Sequence, residues 1–305
     1  MSRTHIAIIG ALSDYGAGRR GVDMGPSAIR LAGLNARIRT LLGYDVDDLG
    51  NIAAPQPESV AAGEDRAKYL HQIADTCRRL SEAVEKAAAA GQFPLVLGGD
   101  HSIAVGSISG MAHHLHKQGK KMGVIWIDAH ADMNTPDTSP SGNVHGMPLA
   151  CLVGRGPEEL TGLFGWAPKI DPRNVVLIGL RDVDAGERSL IRELGIRAFT
   201  MRDVDERGLR SIMDEAVATA TRGTEGFHLS YDMDSVDPQE APGVGTPVKG
   251  GFTYREAHLS MEMICDSGKL LGLDVVEVNP VIDEKNRTAA LAVELIMSVL
   301  GKRIL

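Results

Sequence analysis

The chain has 305 residues, 43% of them hydrophobic and only 4% aromatic, which is long enough for one large domain with an aliphatic core. Its formal net charge of −8 argues against a general nucleic-acid binder and against docking on anionic membranes. Three well-separated cysteines, Cys77, Cys151 and Cys265, form no CxxC pair and read as reduced, mostly buried thiols of a cytoplasmic protein. No apolar run approaches the length of a membrane span, and the one in MSRTHIAIIG is too short for a signal peptide.

Strands and helices alternate along the chain. His5 to Gly10 reads as the first strand. Gly16-Ala17-Gly18-Arg19-Arg20-Gly21 is a formal GxGxxG, but a dinucleotide fingerprint needs a helix opening among those glycines. Here the helix waits for Pro26, a residue suited to a first helical position, and continues through Ser27 to Leu31. The glycines therefore read as a loop. Tyr44 to Leu49 is a short second strand. Glu64 to Ala90 is helical, with Leu70, Ile73, Cys77, Leu80 and Val84 at three- and four-residue steps and Gly91 as its stop. A strand over Pro94 to Leu97 leads into Gly98-Gly99-Asp100-His101-Ser102 and a helix from Ser102 to Gln118. His113, His114 and His116 near its end suit a solvated face better than a surface metal clamp. Val124 to Ile127 is a buried strand, Glu158 to Phe164 is helical, and Asn174 to Gly179 and Arg197 to Thr200 are strands. Helix Leu209 to Thr221, strand Gly226 to Tyr231, helix Thr253 to Asp266, strand Leu270 to Val278 and helix Lys285 to Leu300 follow. This alternation predicts a parallel sheet covered on both faces, in one domain over 1–305.

The most informative stretch is Gly123 to Pro148. Its apolar strand gives way to Asp128, His130 and Asp132, spaced by two. In extended chain such residues share a face, so two carboxylates and an imidazole converge. Alone, the triplet suits a solvated acidic loop as well as a metal site. Two further strand ends break the tie: His101 follows the strand ending at Leu97, and Asp232 and Asp234 follow Phe227 to Ser230. Ligands of open α/β sheets bind outside the carboxyl ends of strands. The helix opening beside His101 places partial positive charge there, which predicts a neutral ring, the form that ligates a metal. Four carboxylates and two imidazoles without a thiolate are too many for one zinc. They suit a pair of dications, manganese best, and four aspartates balance two dications in charge. Such a pair lowers the pKa of a shared water and presents hydroxide to an electrophile. Asn134, Ser139, Ser141, Asn143 and His145 lie in the loop that follows, and Asp184, Glu187 and Glu277 follow other strands. A closed structural site does not need so many polar groups.

Several segments resemble the arginases of the ureohydrolase family: GVDMGPSAIR (21–30), GGDHS (98–102), DAHADMNTPDTSPSGNVHGMP (128–148), GLRDVD (179–184), SYDMDSVDP (230–238), GTPVKGGFTYRE (245–256) and EVNP (277–280). The likeness runs over nearly the whole chain and includes all six candidate ligands. It implies a three-layer α/β/α sandwich with a mainly parallel eight-stranded sheet. It also implies two Mn2+ per subunit and conversion of L-arginine and water to L-ornithine and urea, a metal-bridging hydroxide attacking the guanidinium carbon. By the same resemblance His101, Asp128, His130, Asp132, Asp232 and Asp234 are the ligands, and Asp132 also orients the hydroxide. His145 is the acid or proton shuttle and Glu277 the guanidinium partner. Asn134, Ser141 and Asn143 meet the substrate α-carboxylate and Asp184 its α-amino group, while Ser139, Glu187 and Thr246 are further substrate-site residues. The resemblance implies a homotrimer or homohexamer, with Arg255 and Glu256 in a segment used at subunit contacts. Agmatinase, or another guanidino-compound hydrolase, is the alternative within the family. A dinuclear phosphoesterase would need cationic clamps that these loops lack.

Overall fold

The computed structural model describes residues 4–303, so the two ends of the expected 1–305 span lie outside the described residues. The strands are β1 (His5–Ala11), β2 (Asp45–Ile52), β3 (Phe93–Leu97), β4 (Gly123–Ile127), β5 (Val175–Leu180), β6 (Arg197–Thr200), β7 (Phe227–Asp232) and β8 (Leu270–Val276). They form one eight-stranded sheet in the order β2-β1-β3-β8-β7-β4-β5-β6, and every pair is parallel. Side chains alternate between the two faces. Ile6, Ile8, Ile125, Ile127, Val176 and Ile178 enter one core, with the helices Gly25–Leu31, Leu209–Ala220, Tyr254–Asp266 and Arg287–Val299. Ile9, Ala11, Val124, Trp126, Val175 and Leu177 enter the other, under the helices Leu70–Ala89, Ala104–His116 and Ala185–Leu194. The predicted three-layer architecture is the one observed. Burial from both sides explains why β3, β4 and β7 are buried along their whole length. The edge strand β2 carries exposed Asp45, Asp47 and Asp48, charges that blunt an open edge. Among the described residues no helix is long and apolar enough to cross a membrane.

The order of the strands builds the site. The chain runs from β4 outward to β5 and β6, then returns to insert β7 and β8 between β4 and β3. The carboxyl ends of β3, β8, β7 and β4 consequently lie side by side.

Several boundaries differ from the sequence reading. The helix predicted from Glu64 starts at Leu70, because Tyr69 adopts φ 56° and the preceding segment pairs with the site loop, Lys68 N donating to Gly142 O at 3.0 Å. His101–Ile103 is a 3-10 turn, and the α-helix begins at Ala104. Glu158 to Phe164 is two short turns, with Phe164 at φ 58°. β8 stops at Val276 because Glu277 takes φ 64°. The closing helix begins at Arg287, after Lys285 and Asn286 at φ 53° and 63°. The helices Ala185–Leu194 and Met201–Arg207 have no counterpart in the sequence reading. Both open with capping boxes, Asp184 with Glu187 and Thr200 with Asp203. His113 stacks on Phe164 at 3.9 Å and His116 on Trp166 at 4.4 Å, so this run, partly or fully exposed as expected, also packs on the 161–166 turn.

Candidate active site

Seven side chains from four strand ends meet at the middle of the sheet. His101 follows β3; Asp128, His130 and Asp132 follow β4; Asp232 ends β7 and Asp234 follows it; Glu277 follows β8. His101 Nδ1 lies 3.2 Å from Asp128 Oδ2, 3.1 Å from Asp132 Oδ2 and 3.0 Å from Asp232 Oδ2. His130 Nδ1 lies 3.4 Å from Asp128 Oδ1 and 3.0 Å from Asp234 Oδ2. Two sets of ligating atoms result, His101–Asp128–Asp232 and Asp128–His130–Asp234, each with its atoms within 4.8 Å of one another. Asp128 belongs to both.

The electrostatics of this cluster are those of crowded carboxylates. Burial, Asp234 and Asp128 hold Asp232 well above the usual carboxylate range, and burial with Asp128 raises Asp132 to about 6. Burial also raises Asp234, while Asp128 is depressed because its two histidines outweigh its burial. Burial works against a charged His101, but the three carboxylates outweigh it and its pKa stands well above the imidazole range. A cation among these carboxylates would offset their pull on the ring, and that is the setting in which a ligating His101 is neutral. One Nδ1 cannot satisfy three oxygens. By hydrogen-bond geometry the buried His101 Nδ1 and Asp132 Oδ2 have no partner at all. Orphaned donor atoms of this kind, oxygen-rich and lacking a thiolate, fit divalent metal ions.

The far side of the cluster is held by further groups, of which the sequence reading named only Thr246 as a site residue. His101 Nε2 lies 2.8 Å from Ser230 Oγ, and the Ser230 hydroxyl donates to Asp274 Oδ1. Ser230 can therefore only accept from His101, so Nε2 carries a hydrogen and Nδ1 is the atom left to ligate. Asp274 Oδ2 also accepts from Ser107 Oγ at 2.6 Å and faces His228 Nε2 at 2.8 Å, all four residues being fully buried. Trp126 Nε1 donates to Asp128 Oδ2 at 2.9 Å, and its ring stacks on His101 at 4.1 Å. Thr246 Oγ1 donates to Asp234 Oδ2 at 3.1 Å. Ser230 and Asp274 had a signal in the sequence, a polar residue inside each apolar strand.

Above the cluster lies a cleft lined by every site residue predicted from sequence except Asp128, which is buried beneath it. Asp132 and Glu277 both adopt positive φ, 52° and 64°, a conformation costly for non-glycine residues and held here by the surrounding contacts. Glu277 Oε1 accepts from His101 N at 3.0 Å and lies 3.1 Å from His145 Nδ1, while Oε2 is buried without a partner. Burial opposes charge on His145, but Glu277 outweighs it and lifts the pKa to about 9.

The rim is rich in donors. Ser139 Oγ accepts from Gly142 N at 3.0 Å and Ser141 Oγ from Asn143 N at 3.2 Å, which leaves both hydroxyl hydrogens available. Asn143 Oδ1 faces Lys68 Nζ at 3.4 Å. Asn134 is already engaged, its Nδ2 donating to Asp184 Oδ2 at 2.9 Å. Glu187 has both oxygens on backbone, accepting from Met133 N at 3.1 Å and Asp184 N at 2.8 Å, and burial raises it to about 7. Asp182, two residues before Asp184, also lines the cleft. It and Lys68 were missed, although GLRDVD placed Asp182 on the same loop.

A sequence model of the arginase family matches residues 4–301. An arginase from Brevibacillus brevis is 50% identical over 301 residues, 99% of this chain and 99% of its own length. One from Bacillus caldovelox is 49% identical over 301 residues, 98% of this chain and 99% of its own length. The native structure of the Bacillus caldovelox arginase at pH 5.6 gives a TM-score of 0.94 at 49% identity, covering 99% of this chain and 100% of that one. A family match over almost the whole length, with relatives of this identity and a fold in common, means that the chain belongs to the arginase family of hydrolases.

Proposed function

We propose that the protein converts L-arginine and water to L-ornithine and urea, using two Mn2+ ions per subunit. The observation that carries this reading is the pair of His–Asp clusters sharing Asp128 beneath a cleft with a donor-rich rim. His101, Asp128, Asp132 and Asp232 would hold one ion, and Asp128, His130 and Asp234 the other. When bound, the ions supply Lewis acidity that makes water nucleophilic near neutral pH. Asp132, held at positive φ, orients the attacking water. Guanidinium is a cation that a dication repels, and Glu277 offsets that repulsion with its buried, unpartnered Oε2. Water adds to the guanidinium carbon, the bond to the ornithine nitrogen breaks, and that nitrogen must take a proton. His145, beside Glu277, is placed to give it.

The rim supports an amino-acid substrate. Hydroxyls of Ser139 and Ser141 and amides of Asn143 and Asn134 suit an α-carboxylate, and Asp184 suits the ammonium beside it. Glu187 and Thr246 support the site through the Asp184 backbone and Asp234. The buried free thiols Cys77 and Cys151 support a reducing, cytoplasmic setting. A homotrimer or homohexamer is part of the proposal on family grounds. Substrate choice tests it. Agmatine lacks the α-carboxylate, so a rim built for that group loses its partner. kcat/KM should strongly favour L-arginine on wild type, and Asn134→Ala with Ser141→Ala should narrow the gap. Equal values for the two substrates on wild type would refute the assignment.

A further inference from the structure

The glycine-rich segment after β1 cradles no anion. Its backbone donors already meet carboxylates, Gly16 N with Asp100 Oδ2 at 3.2 Å and Gly21 N with Asp14 Oδ2 at 3.1 Å. It does reach the site. Asp100 is fully buried; its Oδ2 also accepts from Ser13 Oγ at 3.0 Å, its Oδ1 accepts from Ser102 N at 3.0 Å, and its own N–H donates to Ser13 O at 2.8 Å. On the other side, Gly16 O accepts from His145 N at 3.3 Å. A Cβ on Gly16 would sit 2.5 Å from Asp100 Oδ1 and 2.9 Å from His145 N, so only glycine fits between them.

These contacts close a ring. Asp100 holds Gly16, and Gly16 holds the backbone of His145. His145 Nδ1 lies 3.1 Å from Glu277 Oε1, the same oxygen accepts from His101 N at 3.0 Å, and His101 is bonded to Asp100. The loop is stiffened from outside: Arg20 Nε donates to Asp14 Oδ2 at 2.6 Å, and Asn279 Nδ2 donates to Arg20 O at 3.1 Å. The thickness at Gly16 thus sets how far His145 stands from the wall that carries Glu277 and His101.

We propose that Gly16 is a positioning residue for His145, with Asp100 as its anchor, so that the loop is a spacer fixing the reach of the imidazole into the cleft. The proposal rests on the reading of His145 as proton donor. The test uses the full-length, Mn2+-loaded protein as wild type, Gly16→Ala, His145→Asn and the double variant. Arg19→Ala, exposed in the same loop, is the control. Displacing a reacting group by about 1 Å costs about 10²-fold, so Gly16→Ala should lower kcat by that order while KM and Mn2+ content hold. Hydrogen exchange over residues 142–148 should accelerate. In the His145→Asn background Gly16→Ala should cost nothing more, and Arg19→Ala should change none of these. Wild-type kcat in Gly16→Ala, or the same loss repeated in the His145→Asn background, overturns the proposal. Wild-type kcat in His145→Asn overturns instead the proton-donor reading beneath it. Should Gly16→Ala fail to fold, Asp100→Asn keeps the anchor's shape, removes an acceptor oxygen, and must give the same kcat loss and the same absence of loss without His145.

Discussion

In the proposed metal site His101 would ligate through Nδ1 only while Ser230 keeps the hydrogen on Nε2, and Ser230 accepts only while Asp274 takes its hydroxyl. Ser230→Ala should therefore weaken Mn2+ binding by about 10–100-fold, the usual cost of losing a group that orients a ligand. Titration of the stripped variant with Mn2+ measures it, and an unchanged affinity would show that the ring is oriented by Trp126 stacking instead. A second residue tests burial without any metal. Lys169 is 7% exposed, donates to Thr161 O at 2.9 Å and to Trp166 O, and lies over the Trp166 ring; burial lowers its pKa from 10.5 to about 8. Between those two values the unfolded chain binds more protons than the folded one, so stability rises as pH goes from 8 to 10.5. A pKa unit is worth about 1.4 kcal/mol, which makes the full effect on the order of 3 kcal/mol. Denaturant unfolding across that range should show the rise, and Lys169→Met should flatten it.

At the scale of elements, the strand ends were legible because the side-chain period of two and the turn from apolar to acidic both lie within a few residues. Asp128, His130 and Asp132 do meet, but the chain leaves the strand at Ile127 and Asp132 turns to φ 52°, so the bends after β4 rather than an extended period of two bring them together. The start of the Leu70–Ala89 helix was not legible, because the pairing that stops it, Lys68 with Gly142, joins segments far apart in sequence. Lys68, whose ammonium faces Asn143 of the rim, was missed for the same reason. The helix Ala185–Leu194 was hidden differently. Its apolar residues Leu190, Ile191 and Leu194 are only half-buried, so its pattern is thin, and its one buried side chain is Glu187. Glu187 ties the helix start to Met133 N, next to Asp132. Glu187→Ala should cost about 1 kcal/mol of stability through the lost capping box. It should also raise KM for L-arginine by about tenfold, the worth of one buried hydrogen bond, with kcat little changed. A fall in kcat with KM unchanged would place Glu187 in the reaction itself.

At the scale of the whole molecule, the site is a product of strand order. Only the late insertion of β7 and β8 between β4 and β3 puts Asp232, Asp234 and Glu277 beside His101 and Asp128, and no local pattern in the sequence records that insertion. The resemblance implied the eight-stranded parallel sheet, which is observed, but not the order of its strands, which only the structure shows. The negative net charge suits a cationic substrate, but the four buried aspartates facing one point do more: they make a site that is electrostatically unsatisfied until cations enter it. On the proposed function, metal binding and arginine hydrolysis stand or fall together in this chain. The most direct measurement is urea release from L-arginine by protein stripped with chelator and then titrated with Mn2+. The stripped protein should release none, and release should recover fully as two Mn2+ per subunit bind. Full activity in verified metal-free protein, or no urea from protein holding both ions, would contradict it.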